Sequence, residues 1–296
     1  QLSTSTPFLS FRFYKTKRNE RKGVDVDSWI RMIESRRSVR TFDGKSIDEK
    51  RMKQMKEYIE GVSNPFKVDV LLKMFDAEKY SLSSPVIIGE PSYIMGLVPS
   101  VHFAEIAYGY TLEKVVLFAK SIGLGTVWLG GTFNRDYFHD AVGIRENEIM
   151  PCVMPVGVPA NKMSIREILM RKGAGSDSRN KFSKMFFNGN FDVPLTEDAA
   201  EKFLNPLKMV RLAPSAMNKQ PWRVVVKGKY VHFYQKADKG FNKSYGDIQK
   251  VDMGIALCHF DLTAKEEGIK GEFIVKVPGI TVQNDIEYII SYVMEN

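Results

Sequence analysis

The chain has 296 residues, of which 44 % are hydrophobic and 26 % are charged, and this composition predicts a globular protein of about two domains rather than a disordered or fibrous one. It holds only two cysteines, far apart, so a disulfide-built scaffold is excluded and no cysteine spacing indicates a structural zinc site. The net charge is +8, but six basic side chains and one acidic one lie within residues 1–22. The positive charge left on the other residues is small, so it is weak evidence for nucleic-acid binding.

Residues 1–26 are predicted to be a basic N-terminal tail that precedes the globular part. The tail is rich in Ser and Thr and has no acidic residue before Glu20, a pattern typical of an organelle-targeting segment. An expression remnant or an N-terminal arm explains the same composition. No apolar run of the chain reaches the ~18 residues of a membrane span. We therefore expect a cytoplasmic protein without a membrane partner, with targeting to an organelle as the alternative.

Residues 27–165 are predicted to form a first half of mixed helices and strands. Helical spacing of apolar residues fills much of 27–60, whereas three prolines between 76 and 100 predict loops there. The longest helical pattern ends at Gly123, where glycine suits a helix C-cap. The other predicted elements are a strand at Val68–Leu72, that long helix at His102–Ile122, and strands at Thr126–Leu129 and Cys152–Gly157.

Residues 186–296 repeat this order after a basic linker at 166–185. The predicted elements there are a helix at Glu201–Leu212, strands at Arg223–Val226 and Val231–Tyr234, a helix at Gln249–Gly268, and a strand at Ile286–Val293. Placing Gly109 over Gly254 also aligns Leu117 with Leu262, Ala119 with Ala264, and Gly123 with Gly268. Such register predicts an internal duplication. Two similar α+β halves would then pack as the subunits of a homodimer do.

Three segments carry side chains suited to binding. The first is the run RRSVR (Arg36–Arg40), whose guanidinium groups can grip a phosphate in a bidentate manner, although a solvated helix end has the same pattern. The second is GLGTVWLGG (residues 123–131), where glycines allow backbone N–H groups close to a ligand or simply form a cap and a turn. The third is APSAMNKQPWR (residues 213–223), a rigid loop that presents Ser, Asn and Gln, or an ordinary helix-to-strand connection.

Other catalytic patterns are missing from the sequence. There is no GxGxxG or Walker A segment, the four histidines show no metal-ligand spacing, and no GxSxG elbow occurs. No metal site is therefore predicted.

Taken together, RRSVR, GLGTVWLGG, VGVP and APSAMNKQPW resemble the FMN-dependent nitroreductase family over roughly residues 28–296. The resemblance implies an α+β, nitroreductase-like fold, internally duplicated, with central, mostly antiparallel sheets surrounded by helices. In ordinary members both motifs lie in one half-length chain and the site forms across a homodimer. Here the first half keeps the arginines but has the shortened Glu60–Phe66 in place of the APS loop, and the second half keeps the loop but has no arginines. The resemblance therefore implies one complete site per chain and a second pseudo-site without cofactor.

By that resemblance, FMN is the cofactor and NADH or NADPH the reductant. The first half's Arg36, Arg37, Ser38 and Arg40 would hold the ribityl phosphate and the pyrimidine edge of the flavin. The other residues implied as cofactor-binding are Leu129, Gly130, Gly131, Arg179, Lys181, Pro214, Ser215, Asn218 and Gln220. No catalytic side chain is implied, because the flavin N5 carries out the chemistry.

The expected activity is ping-pong hydride transfer from NAD(P)H through FMN to a small-molecule acceptor, such as a nitroaromatic compound or a quinone. Alternatives within the resemblance are a non-enzymatic FMN-binding or storage protein and a reductive dehalogenase-like enzyme. Fusion of the two halves removes the need for a homodimer, so we expect a monomer. From the charge distribution, we expect no nucleic-acid partner.

Overall fold

The structure is a computed structural model that describes residues 26–295. Of the tail predicted at 1–26, all but Val26 lies outside the described residues. The described α-helices are α1 (Trp29–Ser35), α2 (Glu49–Gly61), α3 (Ala104–Ser121), α4 (Arg135–Val142), α5 (Ile165–Gly173), α6 (Leu204–Leu212) and α7 (Ile248–Glu266). The described strands are β1 (Leu71–Asp76), β2 (Ser92–Pro99), β3 (Gly125–Thr126), β4 (Glu148–Ile149), β5 (Val153–Gly157), β6 (Phe186–Asn188), β7 (Trp222–Lys227), β8 (Tyr230–Lys236), β9 (Asn242–Lys243), β10 (Gly246–Asp247), β11 (Gly271–Ile274) and β12 (Ile286–Met294).

Two five-stranded sheets form the framework. The first has the order β1-β2-β5-β3 with the short β4 beside β2, and all its pairings are antiparallel. The second has the order β11-β12-β8-β7-β6 and is antiparallel except for the pair β6 and β7. The prediction of an α+β fold with mostly antiparallel sheets is confirmed.

The same sequence of elements occurs twice along the chain. In the first half β1 and β2 precede α3, and β3 and β5 follow it; in the second half β7 and β8 precede α7, and β11 and β12 follow it. The pairings also correspond, because β3-β5-β2-β1 has the same order as β11-β12-β8-β7. This repeat of order and pairing agrees with the internal duplication that the sequence predicts.

The two longest helices, α3 and α7, form the centre of the molecule. Both are apolar around nearly their whole circumference, so nearly all their residues are buried. They pack against each other, and α1 packs against both. The core is therefore continuous between the two halves.

Strand β2 lies where the sequence predicts loops. Residues 76–100 were expected to be loops because of Pro85, Pro91 and Pro99, but β2 runs through 92–99 and is buried from Ser92 to Val98. A proline lacks the N–H that a strand needs for pairing, so prolines are tolerated at the ends of a strand. Pro91 and Pro99 therefore delimit β2, and they do not interrupt it.

The connection between the halves, predicted as a linker at 166–185, is partly helical. Ser164 begins α5, because its hydroxyl accepts a hydrogen bond from the backbone N of Glu167 at 3.1 Å. The first predicted strand is also shifted, from Val68–Leu72 to Leu71–Asp76. The domain limits at 165 and 186 stay predictions.

Across residues 26–295, every helix is too short or too polar to cross a bilayer.

Candidate functional site

A cavity of about 360 Å³ lies between the two halves. The first half contributes residues 36–40, which follow α1, and residues 127–130, which follow β3. The second half contributes the loop at 212–218 and the first turns of α7. The connection at 171–179 completes the wall. All three motifs found in the sequence therefore meet at one place.

Three partly buried arginines line this cavity. The Nε and Nη1 atoms of Arg36 and Arg40 and the Nε atom of Arg179 are buried, and they have no hydrogen-bond partner among the described residues. Burial lowers the pKa of each of the three guanidinium groups, and Arg171 lowers those of Arg36 and Arg40 further. Buried donors without partners are costly, and like charges add to that cost. An anion bound among them would satisfy the donors and offset the repulsion.

Glu167 organises the arginine run from the connection between the halves. Its fully buried carboxylate accepts from Arg37 Nη1 at 2.8 Å and from the backbone N of Arg40 at 3.2 Å. The interaction turns Arg37 toward Glu167 and fixes the backbone that carries Arg40. Sequence reasoning missed Glu167, although Ser164 followed by Glu167 has the spacing of a helix N-terminus.

Two basic residues of the connection line the cavity, but they are not the expected pair. Arg179 lines it and donates to the backbone O atoms of Ser176 and Ser178 at 2.9 and 2.7 Å. Lys181 is exposed and lies outside the lining. Arg171 lines the cavity instead and pairs with Asp177 at 2.6 Å. The sequence shows that the connection is basic, but this composition does not indicate which of its basic residues lines the cavity.

The second half's loop is held rigid by its own polar side chains. Ser215 Oγ accepts from the backbone N of Gln220 at 2.9 Å, and Gln220 Oε1 accepts from the backbone N of Asn180 at 2.9 Å. Asn218 Nδ2 donates to the O of Gly175 at 2.8 Å. Pro214, Ser215 and Asn218 line the cavity, whereas Gln220 is buried behind them. These bonds tie the loop to the connection that faces it.

The glycine-rich segment after β3 contributes one wall. Gly130 lines the cavity, while Gly131 lies outside the lining and is exposed. Leu129 is buried, and its backbone N already donates to the O of Val153 at 3.0 Å. Because the N–H of Leu129 is already paired, Gly130 is the residue of the three predicted here that can offer a backbone N–H to a ligand in the cavity. Arg135 fixes this position, because its Nη2 donates to the O of Gly130 at 2.8 Å.

Trp128 connects the wall to the centre of the molecule. Its Nε1 donates to Glu113 Oε2 at 3.0 Å, and Glu113 Oε1 lies 2.9 Å from His259 Nε2. His259 Nδ1 lies 3.0 Å from the O of Met209, which makes Nδ1 a donor. Glu113 is on α3 and His259 on α7, and both are fully buried. Sequence reasoning missed this chain of contacts, since its members are far apart in sequence.

The equivalent place on the other side of the central helices is filled. An offset of 145 residues relates α3 to α7, and the same offset relates three cavity-lining residues to three aromatic ones. Trp128, Ile248 and Ile255 thus correspond to Phe273, Phe103 and Tyr110.

The side chain of Phe66 occupies this second place. Its ring centroid lies 5.7 Å from that of Phe103, 5.6 Å from that of Tyr110 and 5.9 Å from that of Phe273. Phe66 belongs to the shortened counterpart of the APS loop. The four rings pack together at this second place, whereas the place with the arginines is a cavity.

Comparisons with known proteins identify the same fold. A family model described as "Putative TM nitroreductase" matches residues 29–264. A crystal structure named as a "putative nitroreductase" of Thermotoga maritima aligns with 20 % identity and a TM-score of 0.56, covering 92 % of this chain and 94 % of that one. A nitroreductase family protein of Clostridium novyi aligns with 19 % identity and a TM-score of 0.39, covering 45 % of this chain and 86 % of that one. No curated protein matches the chain.

Proposed function

Because the chain belongs to the TM nitroreductase family, we propose that it is an FMN-dependent NAD(P)H oxidoreductase with one flavin site per chain. The cavity residues would hold FMN so that it can mediate ping-pong hydride transfer from NAD(P)H to a small acceptor such as a nitroaromatic compound or a quinone. FMN supplies this hydride chemistry when bound.

The observation that carries the proposal is the set of buried guanidinium donors without partners. Arg36 and Arg40 come from the first half, and Arg179 from the connection. Guanidinium groups bind phosphate through paired N–H donors, so these donors fit the phosphate of FMN.

The remaining wall fits a flat ring. Trp128, Ile248 and Ile255 provide an apolar surface, and the backbone of Gly130 lies beside Ile248, since a Cβ added to Gly130 would lie 3.6 Å from Ile248 Cδ1. A glycine at this position allows a ring edge to approach the backbone N–H. In the proposed complex, these residues bind and orient the ring, and the arginines hold the phosphate.

The test is an absorption spectrum of the protein after FMN is added and the excess is removed by desalting. One equivalent of FMN per chain that bleaches with NADH or NADPH in the absence of oxygen is the expected result. Failure to retain FMN would overturn the proposal. Retained FMN without bleaching would instead favour a binding or storage role.

The stoichiometry tests the role of Phe66 separately. Two equivalents of FMN per chain would contradict the single-site proposal, because Phe66 and its aromatic neighbours would then have to leave the second place. The Phe66→Ala variant is the matched comparison, and we expect it also to bind one equivalent, since that side lacks the arginines.

We also propose that the protein is a monomer, because both contributors to the site lie in one chain. Gel filtration at the mass of two chains would contradict this.

A further inference from the structure

Asp252 is a buried carboxyl group in the wall of the cavity. It lies in the second turn of α7 and is 3 % exposed. Each of its carboxyl oxygens lies 3.1 Å from the backbone N of Ala216, which is the first residue after Ser215 in the loop. Among residues 26–295, Asp252 takes part in no ion pair with a basic side chain.

The ionisable groups that act on Asp252 do not favour its negative form. Asp247, which caps the start of α7, contributes a further negative charge. Cys152, at the approach to β5, faces it with a buried thiol whose own pKa is raised by burial. Burial is the largest cause that raises the pKa of Asp252 well above its usual range, and Asp247 adds to it, whereas the Ala216 N–H opposes it. The balance of these causes favours the protonated form of the carboxyl group.

The central helices can pack without an acid at this position. The residue of α3 that corresponds to Asp252 is Ala107, which is fully buried. On that side the space is filled by Phe66, and on the side of Asp252 it is a cavity. The side with the cavity, where a ligand can reach the position, therefore has the carboxyl group of Asp252. The side filled by Phe66 has only the methyl group of Ala107 at the corresponding position.

We propose that Asp252 is the proton donor of the cavity, a neutral carboxylic acid that protonates an acceptor of the quinone class as it is reduced. The inference rests on the proposed function, which supplies the hydride. A quinone that has taken up a hydride carries one negative oxygen and needs one proton to become a hydroquinone. The O–H bond of Asp252 breaks, the O–H bond of the hydroquinone forms, and the carboxylate regains a proton from water.

The protonation state is tested first, in the protein without FMN. The infrared spectrum of wild-type protein at pH 7 should contain a carboxylic-acid C=O band that shifts when aspartate is labelled with ¹³C. The same band should be absent from Asp252→Asn, which keeps an oxygen acceptor for the Ala216 N–H. If no labelled acid band appears in the wild-type protein, Asp252 is ionised and the proposal is overturned.

The role in turnover is tested with two acceptors. A quinone requires a proton, whereas ferricyanide takes one electron and requires none. Loss of a general acid slows a reaction by about 100-fold or more, so Asp252→Asn should lower the rate with a quinone by at least about that factor and leave the ferricyanide rate near that of wild type. Asp192→Asn is the matched control, because it makes the same change at an exposed residue outside the cavity lining; it should leave both rates near the wild-type values.

The remaining outcomes separate the two proposals. Equal slowing with both acceptors would mean that Asp252 only positions the loop, and would overturn the proton-donor role. If Asp252→Asn does not fold, Asp252→Glu is the alternative variant, because it keeps the acid. It should retain the wild-type ratio of quinone to ferricyanide rates, and a fall of that ratio to a small fraction would contradict the proposal.

Protein that retains no FMN overturns the proposed function, whereas protein that binds and bleaches FMN but lacks the acid band overturns only the role of Asp252.

Discussion

Gly109 and Gly254 occupy equivalent positions in the crossing of α3 and α7. A Cβ atom on Gly109 would lie 2.1 Å from the O of Val251, and one on Gly254 would lie 2.1 Å from the O of Ile106. Val251 and Ile106 are themselves 145 residues apart, as the two glycines are. The contact is therefore reciprocal, and it brings the backbones of the two halves together as a two-fold axis would.

We expect Gly109→Ala to destabilise the protein. The added methyl group meets backbone, which cannot rotate away, and overpacking of this kind costs about 1–3 kcal/mol or more. The measurement is the free energy of unfolding from urea denaturation. Gly61→Ala is the control, because Gly61 ends α2 with open space around its Cβ position. Alanine is the better helix former, so that variant should be slightly more stable; equal midpoints for both variants would contradict the close crossing.

Arg40→Ala should weaken FMN binding without destabilising the FMN-free protein. The Nε and Nη1 atoms of Arg40 have no partner among the described residues, so the substitution breaks no bond of theirs. It removes the attraction to Glu167 together with burial of the charge and the repulsion by Arg171 and Arg36, and these effects offset one another. Hydrogen bonds to charged groups contribute about 1.5–3 kcal/mol, so the Kd for FMN should rise by about 10- to 100-fold. Titration of flavin fluorescence measures this. Arg31→Ala removes an equal charge from the exposed side of α1 and should bind FMN as wild type does; unchanged affinity in Arg40→Ala would refute the assignment of the phosphate site.

Glu167→Ala should lower both stability and FMN affinity. The substitution leaves Arg37 and the backbone N of Arg40 without their acceptor. We expect a loss of about 2 kcal/mol in the free energy of unfolding. The comparison is Glu57→Ala, whose exposed pair with Lys53 is 3.9 Å long and should change stability by less than about 0.5 kcal/mol. A Glu167→Ala variant as stable as the comparison would show that the buried contact contributes nothing.

Acid should destabilise the protein through His232. Burial, with smaller effects of Lys227 and Lys276, lowers the pKa of His232 to about 4 from 6.5. The unfolded chain then binds more protons than the folded one between those values, so stability falls as the pH decreases from about 6.5 to about 4. In His232→Asn, this fall should be smaller. Denaturation at pH 7 and pH 5 measures it, with His102→Asn at an exposed site as control; equal pH dependence of the two variants would contradict the shift.

The parts of the fold that follow from periodicity were predictable. Helices α3 and α7 are long and apolar and end near glycines, so their positions and their repeat were apparent from the sequence. Strand β2 was not, because flanking prolines resemble the punctuation of a loop until pairing with β1 and β5 is known.

The site was predictable only where a motif marks it. The arginine run and the APS loop were found in this way. Glu167 and Asp252 were missed, because each acts through a contact between segments that are distant in sequence, and a single acidic residue in a helix usually lies on a solvated face. The aromatic filling around Phe66 was missed for the same reason, since it depends on three residues from two halves.

The contact of Asn218 with Gly175 makes the connection between the halves part of the wall of the cavity. The segment that holds the two halves in one chain thus also shapes the cavity. Any insertion or deletion near residue 175 would displace this wall together with Arg179, one of the three arginines with unpartnered donors, while both sheets stayed in place. Changes in this tether would therefore alter the fit of a ligand and the binding of the cofactor phosphate together.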